Sequence, residues 1–139
     1  MDGTLANVEG VRHHVLGKNR HYDRFHSEAI SCPPHEWVAD LARLTHHAGY
    51  TNLVVTARGE KYRKATGIWL ALHDIPHDHL IMRPFKDMRK DYLVKADMFR
   101  CISRGYDVRI AVDDNPNIIA LWHSVGVPIV FEVLGWAEG

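Results

Sequence analysis

Short apolar runs alternate with helical patterns along most of this chain, and this alternation restricts its fold more than any other feature. Residues 53–55 (Leu-Val-Val) form such a run, and similar runs lie at 80–82, 108–112 and 127–133. Between the runs, apolar residues recur every three or four positions, as on one face of a helix. Strands that alternate with helices over short connections are typical of a parallel sheet with helices on both faces. We therefore expect an α/β fold with a doubly wound parallel sheet.

Four helices are predicted, each bounded by residues that start or end helices. Pro34 and Pro116 suit the first turn of a helix, whereas Gly49 and Gly126 suit the position after the last turn. The two middle helices are predicted near residues 60–73 and 90–104. The residues expected to face the core from these two helices are Ile68, Trp69, Leu72, Val94, Met98, Cys101 and Ile102.

Length and composition restrict the class of protein. A chain of 139 residues, 46% of them hydrophobic, is typical of one globular domain, so we expect a single domain over residues 1–139. No apolar run reaches the ~20 residues of a membrane span, and the first residues do not resemble a signal peptide. Two distant cysteines indicate the reducing cytoplasm. Because 17 basic residues balance 17 acidic ones, no net charge attracts nucleic acid.

Polar residues follow the predicted strands where a parallel sheet binds its ligands. Thr56 comes directly after the run at 53–55, and Asp113 and Asp114 come directly after the run at 108–112. The carboxyl ends of parallel strands meet at one edge of the sheet. We therefore expect these side chains, together with Lys95 from the preceding helix, to lie at one edge.

The adjacent acids Asp113 and Asp114 favour a metal site. Two carboxylates at a buried strand end repel each other unless a cation neutralises them, and Mg²⁺ prefers such oxygen ligands. An acid before a helix start is also a common N-terminal residue, so capping by Asp114 remains an alternative. Lys95 lies four residues after Asp91, so the pair either holds a phosphate group or forms an exposed helix ion pair worth ~0.3–0.5 kcal/mol.

Two basic clusters flank the same predicted edge. In a neutral protein they indicate an anionic ligand larger than one phosphate, although ordinary exposed helix starts would have the same composition. Trp136 could stack on a nucleic-acid base or belong to the core. The clusters are Arg58, Lys61, Arg63 and Lys64, and Arg83, Lys86, Arg89 and Lys90.

In chain order these residues resemble the signature of the haloacid dehalogenase (HAD) phosphohydrolase superfamily. That signature is Asp-x-Asp-Gly-Thr, a Thr or Ser after the second strand, a Lys, and an acidic pair. Residues 2–4 (Asp-Gly-Thr), Thr56, Lys95 and the pair Asp113-Asp114 are similar to it in this order. Within the superfamily, the stretches around Thr56, Lys95 and Asp113 look like those of the 3′-phosphatase domain of phage-type polynucleotide kinase/phosphatases.

This resemblance implies a Mg²⁺-dependent hydrolase that removes 3′-phosphates from polynucleotide ends through an aspartyl-phosphate. It also implies an HAD-like Rossmannoid sheet with a minimal cap, formed here by residues 7–32. Asp2 would protonate the leaving oxygen and then deprotonate water, while Thr56 and Lys95 would hold phosphoryl oxygens. The implied sites are Asp2, Thr56 and Lys95 for catalysis, Arg58 and Asp91 for substrate, and Asp2, Asp113 and Asp114 for metal.

The first motif departs from the family pattern, because the nucleophilic aspartate would fall immediately before Met1. The central strand that carries this aspartate would precede Met1 as well. Its absence would leave the neighbouring strands roughly 10 Å apart, twice the usual spacing. We therefore expect either that the chain starts at an internal methionine or that the sheet is completed in another way.

Two other functions remain open at this point. The first is a mononucleotide phosphatase of the same superfamily, and the second is a non-catalytic module that binds phosphate or nucleic acid. The expected ligand is a phosphorylated nucleic-acid end or a nucleotide, without a membrane. A kinase or ligase partner chain is possible, and the sequence leaves the oligomeric state open.

Overall fold

Helices and parallel strands alternate in the computed structural model, which describes residues 1–16 and 20–135, so Trp136 lies outside the described residues. None of the described helices is long and apolar enough to cross a membrane. Short 3₁₀ helices cover Arg12–Val15 and Glu60–Tyr62. The helices are α1 (Tyr22–Ala29), α2 (Glu36–His47), α3 (Arg63–Leu72), α4 (Asp91–Ile102) and α5 (Pro116–Ser124). The strands are β1 (Leu53–Gly59), β2 (His79–Arg83), β3 (Ile110–Asp113) and β4 (Ile129–Glu132).

Hydrogen bonds join the strands into two parallel pairs. Strand β1 pairs with β2, so that Val54 lies opposite Leu80, and β3 pairs with β4, so that Ala111 lies opposite Val130. Helix α3 connects the first pair and α5 the second, as parallel neighbours require. The described residues thus form two sheets of two strands, where the sequence pattern predicted one doubly wound sheet.

A cavity of about 550 Å³ separates the two sheets. Residues 53–55 of β1 and 110–113 of β3 line it, together with Val38, Phe99 and Trp122 from three helices, whereas β2 and β4 contribute no lining residue. The edges of β1 and β3 that face the cavity have no strand partner among the described residues. A buried strand edge without hydrogen-bond partners is costly.

Apolar spacing located α2 to α5 but missed α1, and it did not identify all of the buried faces. Trp69 is buried, and its indole N–H donates a 2.9 Å hydrogen bond to the Cys32 carbonyl. Leu70 is buried as well. Because several adjacent residues of this helix are apolar, their spacing is compatible with more than one rotation of the helix about its axis. Three residues that the pattern placed in the core are instead exposed, namely Ile68, Leu72 and Cys101.

Asn115 caps helix α5, at the helix start that the sequence predicted. Its side-chain oxygen accepts the backbone N–H of Asn117 at 3.0 Å. We expect Asn115→Ala to lower the free energy of unfolding by about 1 kcal/mol, because an N–H of the first turn loses its partner. Urea denaturation measures this change. Asn117→Ala keeps the capping bond and serves as the control, and equal losses in both variants would contradict the capping role.

Candidate functional site

A buried ion pair joins helix α4 to the carboxyl end of β3. Lys95 Nζ donates to Asp113 Oδ2 at 3.1 Å, and the two side chains are only 9% and 7% exposed. The other carboxylate oxygen of Asp113 accepts the backbone N–H groups of Asp114 and Asn115. Burial alone would raise the pKa of Asp113, but the charges of Lys95 and the N-terminus, together with the hydrogen bonds from Asn115 and Lys95, outweigh it and hold this pKa below its ordinary value. The end of β3 therefore carries a fixed carboxylate with an adjacent cation.

The partner predicted for Lys95 was wrong. Asp91 forms an ion pair with Arg83, 2.5 Å between Oδ1 and Nη2, and its side chain is largely exposed. Lys95 lies on the buried face of α4 beside Val94, so its chain extends toward β3 and not along the helix surface. The structure thus shows neither an exposed ion pair between Asp91 and Lys95 nor a Lys95 side chain that is oriented by Asp91.

Asp114 lies beside this pair and has its own partners. Its Oδ1 accepts the Thr4 hydroxyl at 3.0 Å, and its Oδ2 lies 3.4 Å from Nη2 of Arg12. Burial raises the pKa of Asp114, and the charge of Asp113 raises it further. The pKa is thus lowered for Asp113 and raised for Asp114. A nearby cation would therefore stabilise the ionised form of Asp114 more than that of Asp113.

Gly3 approaches Asp114 so closely that only a hydrogen fits between them. Its φ is +77°, and a Cβ added to it would lie 2.0 Å from Asp114 Oδ2. Gly49 has a similar φ of +90° but has no atom within 4 Å of such a Cβ. The two glycines share the left-handed backbone and differ in crowding.

We expect Gly3→Ala to lower the free energy of unfolding by about 2 kcal/mol or more, because backbone strain and a clash with Asp114 add together. Gly49→Ala should lower it by only about 1 kcal/mol, since that site has strain without a clash. Urea unfolding of both variants measures the difference. Equal losses would show that Asp114 can move away from residue 3 without cost.

Asp2 is clamped by the buried guanidinium of Arg58. Arg58 donates to both carboxylate oxygens of Asp2 and, at 2.9 Å, to the Thr66 hydroxyl. Burial alone would raise the pKa of Asp2, but the charge and hydrogen bonds of Arg58 outweigh it and lower this pKa. The backbone N–H of Arg58 donates to the buried Thr56 hydroxyl at 3.0 Å. The arginine that was expected to face the substrate thus faces Asp2 in this structure.

Two further residues reach these acids from the segment that precedes Cys32. His26 Nδ1 lies 3.7 Å from Asp2 Oδ2 and makes no hydrogen bond among the described residues. Arg12 approaches Asp114 and also donates to the Gly135 carbonyl at 2.6 Å. Sequence reasoning missed both residues, because neither the 3₁₀ helix that carries Arg12 nor helix α1, which carries His26, was predicted. Their only signal was the expectation that residues 7–32 cover the site.

Most of the basic residues in the two predicted clusters are neutralised by nearby acids. Arg63 pairs with Glu60, and Lys61 pairs with Asp23. The second cluster is similar, since Arg83 and Arg89 both bind aspartates. In the parts of the chain that the structure describes, the cluster members without an ion pair are Lys64, Lys86 and Lys90. Within these clusters, three lysines without an ion pair therefore remain to bind an anionic ligand, and they do not form a continuous basic surface.

Asp113 and Asp114 supply the oxygen atoms that Mg²⁺ prefers. Mg²⁺ commonly takes one or two protein carboxylates and completes its shell with water and phosphate oxygens. Within residues 1–16 and 20–135, no group of three His, Cys, Asp or Glu side chains is arranged to hold a metal ion. Burial and, to a lesser extent, the charge of Asp113 raise the pKa of Asp114, and a divalent cation would favour its ionised form. The donor set thus suits Mg²⁺ bound together with a phosphate.

Comparisons with known proteins give consistent results. Residues 1–133 match the family model for the polynucleotide kinase PNKP phosphatase domain. Over 61 residues the chain is 41% identical to a protein described as a bifunctional polynucleotide kinase/RNA ligase from Autographa californica nuclear polyhedrosis virus, a match that covers 43% of this chain and 9% of that protein. The chain thus covers a small part of this relative.

Two solved structures also match nearly the whole chain. The structure of the Pnkp1/Rnl/Hen1 complex has a TM-score of 0.81 and 28% identity, and covers 96% of this chain. The structure of the Pnkp1/Rnl/Hen1 RNA repair complex has a TM-score of 0.77 and 26% identity, and covers 95%. This chain spans 43% and 41% of those two chains, so it corresponds to less than half of each.

Proposed function

Because this chain belongs to the HAD-type family of polynucleotide kinase phosphatase domains, we propose that it removes 3′-phosphates from polynucleotide ends in a Mg²⁺-dependent reaction. The observation that carries this proposal is the buried Lys95–Asp113 pair with Asp114 beside it. Hydrolysis of a phosphate ester needs positive charge fixed where negative charge develops, in a place shielded from water. A buried lysine beside two acids that suit Mg²⁺ meets this requirement.

The proposed roles follow from these contacts. Lys95 and Thr56 hold oxygens of the transferring phosphoryl group, and Asp2 moves protons to the leaving oxygen and from water. Asp113 and Asp114, with the Asp2 carbonyl, would hold Mg²⁺, which when bound neutralises phosphate charge.

Arg58 and Asp91 were both predicted to bind the substrate, and this proposal gives them different roles. Arg58 favours the carboxylate form of Asp2, which is the form that accepts a proton from water. We therefore assign Arg58 to positioning Asp2. Asp91 remains on the proposed substrate side, because it is largely exposed at the start of α4.

The proposal includes a fifth strand that completes one doubly wound sheet. The cavity between β1 and β3 runs from residues 50–52 at one end to Met1 and Asp113 at the other. About six extended residues, parallel to both strands, would pair with the two open edges at the usual spacing of ~4.8 Å. The carboxyl end of such a strand would meet Asp113, so we assign the attacking aspartate to it.

The wider setting is also a proposal. We take residues 1–139 as one domain that works beside kinase and ligase activities, which is supported by the names of the relatives. Free thiols at Cys32 and Cys101 support a reducing cytoplasm.

Phosphate release from a 3′-phosphorylated oligonucleotide tests the proposal, with the chain assayed alone and with the strand added as described in the Discussion. We expect release that requires Mg²⁺ and falls at least about 10²-fold in Asp113→Asn. Asp107→Asn changes an exposed acid and is the matched control. Equal rates on a free nucleoside 3′-monophosphate would favour a mononucleotide phosphatase. If the protein with the added strand binds the oligonucleotide but releases no phosphate, the non-catalytic module is favoured.

A further inference from the structure

The loop of residues 84–90, between β2 and α4, is fastened to the candidate site by one arginine. Arg83 donates to the Ala57 carbonyl at 2.8 Å, and Ala57 lies between Thr56 and Arg58 in the chain. The same guanidinium donates to the carbonyls of Asp87 and Arg89 and to the Asp91 carboxylate. The loop is therefore held at the carboxyl end of β1, beside the proposed phosphate site.

A second arginine forms hydrogen bonds within the loop and from the loop to α4. Both carboxylate oxygens of Asp87 accept hydrogen bonds from Arg89, whose guanidinium also reaches Asp97 at 2.7 Å. These bonds lower the pKa of Asp87 to about 2. Both arginines near the loop thus have structural partners, and the loop holds its shape without packing against the core.

This loop presents apolar side chains that are not buried in the core. Phe85 is 72% exposed and Met88 is 91% exposed. Between them, Lys86 has a φ of +65°, a left-handed conformation that is uncommon for a residue other than glycine. Lys86 forms no ion pair within the described residues. Strained residues held by surrounding bonds are concentrated at ligand-binding sites.

We propose that residues 85–88 bind the unpaired nucleotides that precede the terminal phosphate. Phe85 stacks on a base, Met88 packs against the same or the next base, and Lys86 pairs with a phosphodiester group. Aromatic stacking combined with a nearby cation is how proteins bind single-stranded nucleic acid without reading its sequence. This inference rests on the proposed function and adds to it a preference for a polynucleotide over a mononucleotide.

Fluorescence anisotropy tests the loop without requiring turnover. The probes are a 5′-labelled, 3′-phosphorylated hexanucleotide and the same hexanucleotide without the 3′-phosphate, and an unlabelled nucleoside 3′-monophosphate serves as competitor. We expect Phe85→Ala to weaken binding of the hexanucleotide about tenfold and to change competition by the nucleoside monophosphate less than about twofold. Phe85→Trp should restore binding. Lys86→Gln should reduce the slope of log affinity against log salt by about 0.7.

Leu72→Ala is the matched control, because Leu72 is 73% exposed on a helix and Phe85 is equally exposed in the loop. Thermal unfolding of each variant checks that the fold is retained. If Phe85→Ala and Leu72→Ala bind the hexanucleotide equally well, or if the wild-type chain does not bind it, the loop does not bind nucleic acid. If the 3′-phosphate adds no affinity but Phe85→Ala still weakens binding, the loop assignment stands and the proposed phosphatase function is in doubt.

Discussion

Replacing Lys95 with methionine is expected to destabilise the protein by roughly 3–5 kcal/mol and, in the protein joined to the added strand described below, to reduce phosphate release at least about 10²-fold. The reason for the first effect is burial. Lys95 is the cation paired with Asp113, and both side chains are nearly inaccessible to water. Without Lys95, Asp113 becomes a buried charge without its ion-pair partner unless it takes up a proton.

A double-mutant cycle separates stability from function. Lys95→Met combined with Asp113→Asn removes both charges, so much of the lost stability should return. Activity should not return, because the double variant lacks both the phosphate-binding cation and a metal ligand. Urea denaturation and phosphate release are measured on all four proteins.

Lys64→Met is the control for the loss of a lysine, since Lys64 is exposed and forms no ion pair within the described residues. We expect it to change stability by less than about 0.5 kcal/mol. A double variant as unstable as Lys95→Met would show that Asp113 does not depend on Lys95. Full activity in Lys95→Met would remove Lys95 from the proposed phosphate site.

The order of the secondary-structure elements could be predicted because each apolar run has a clear period. The run at 53–55 became β1 and the Asn115-Pro116 start became α5, each near its expected bounds. The buried face of a helix was harder to predict. Ile68, Trp69 and Leu70 are adjacent, so the period alone allows several rotations, and tertiary packing selects Trp69 and Leu70.

The candidate site could likewise be predicted only as far as local sequence patterns allow. The strand-end rule selected Thr56, Asp113 and Asp114 from the points where apolar runs stop, and their roles stay predictions. In the structure Asp113 ends β3, whereas Thr56 lies inside β1, which continues to Gly59. The rule could not predict that Lys95 would pair with Asp113, since that contact joins residues 18 positions apart. Arg12 and His26 were beyond reach for a related reason, because they lie on a 3₁₀ helix and on α1, neither of which was predicted from the sequence.

The cavity between the two sheets leads to the prediction with the largest effect, which is that an added strand completes both the fold and the site. We expect that joining about six apolar, β-branched residues and a final aspartate to Met1 stabilises the protein by at least ~2 kcal/mol. A strand buried on both faces removes apolar surface from water and pairs the open edges of β1 and β3. The same segment supplied as a separate peptide should have a smaller effect, because association costs entropy.

Phosphate release should rise at least about 10³-fold in the joined protein, because the final aspartate would stand at the Asp113 end of the cavity as the attacking group. Two matched controls separate the effect of the strand on stability from its effect on activity. The same strand ending in asparagine should give the stability without the activity. A strand of the same composition with a central proline should give neither, since proline cannot donate to a sheet ladder.

Each part of this prediction can fail separately. Activity in the chain alone, equal to that of the joined protein, would mean that the nucleophile comes from residues already present. A strand that stabilises the protein equally with and without proline would mean that it does not enter the cavity. If the aspartate and asparagine strands give equal stability and equally low phosphate release, the sheet is completed by such a strand, but the attacking group lies elsewhere. Hydrogen exchange at Ile110 and Val112 tests entry of the strand directly. Residues 109 and 113 bond β4, so the alternating amides of Ile110 and Val112 face the open edge and should become protected only when the added strand pairs with them.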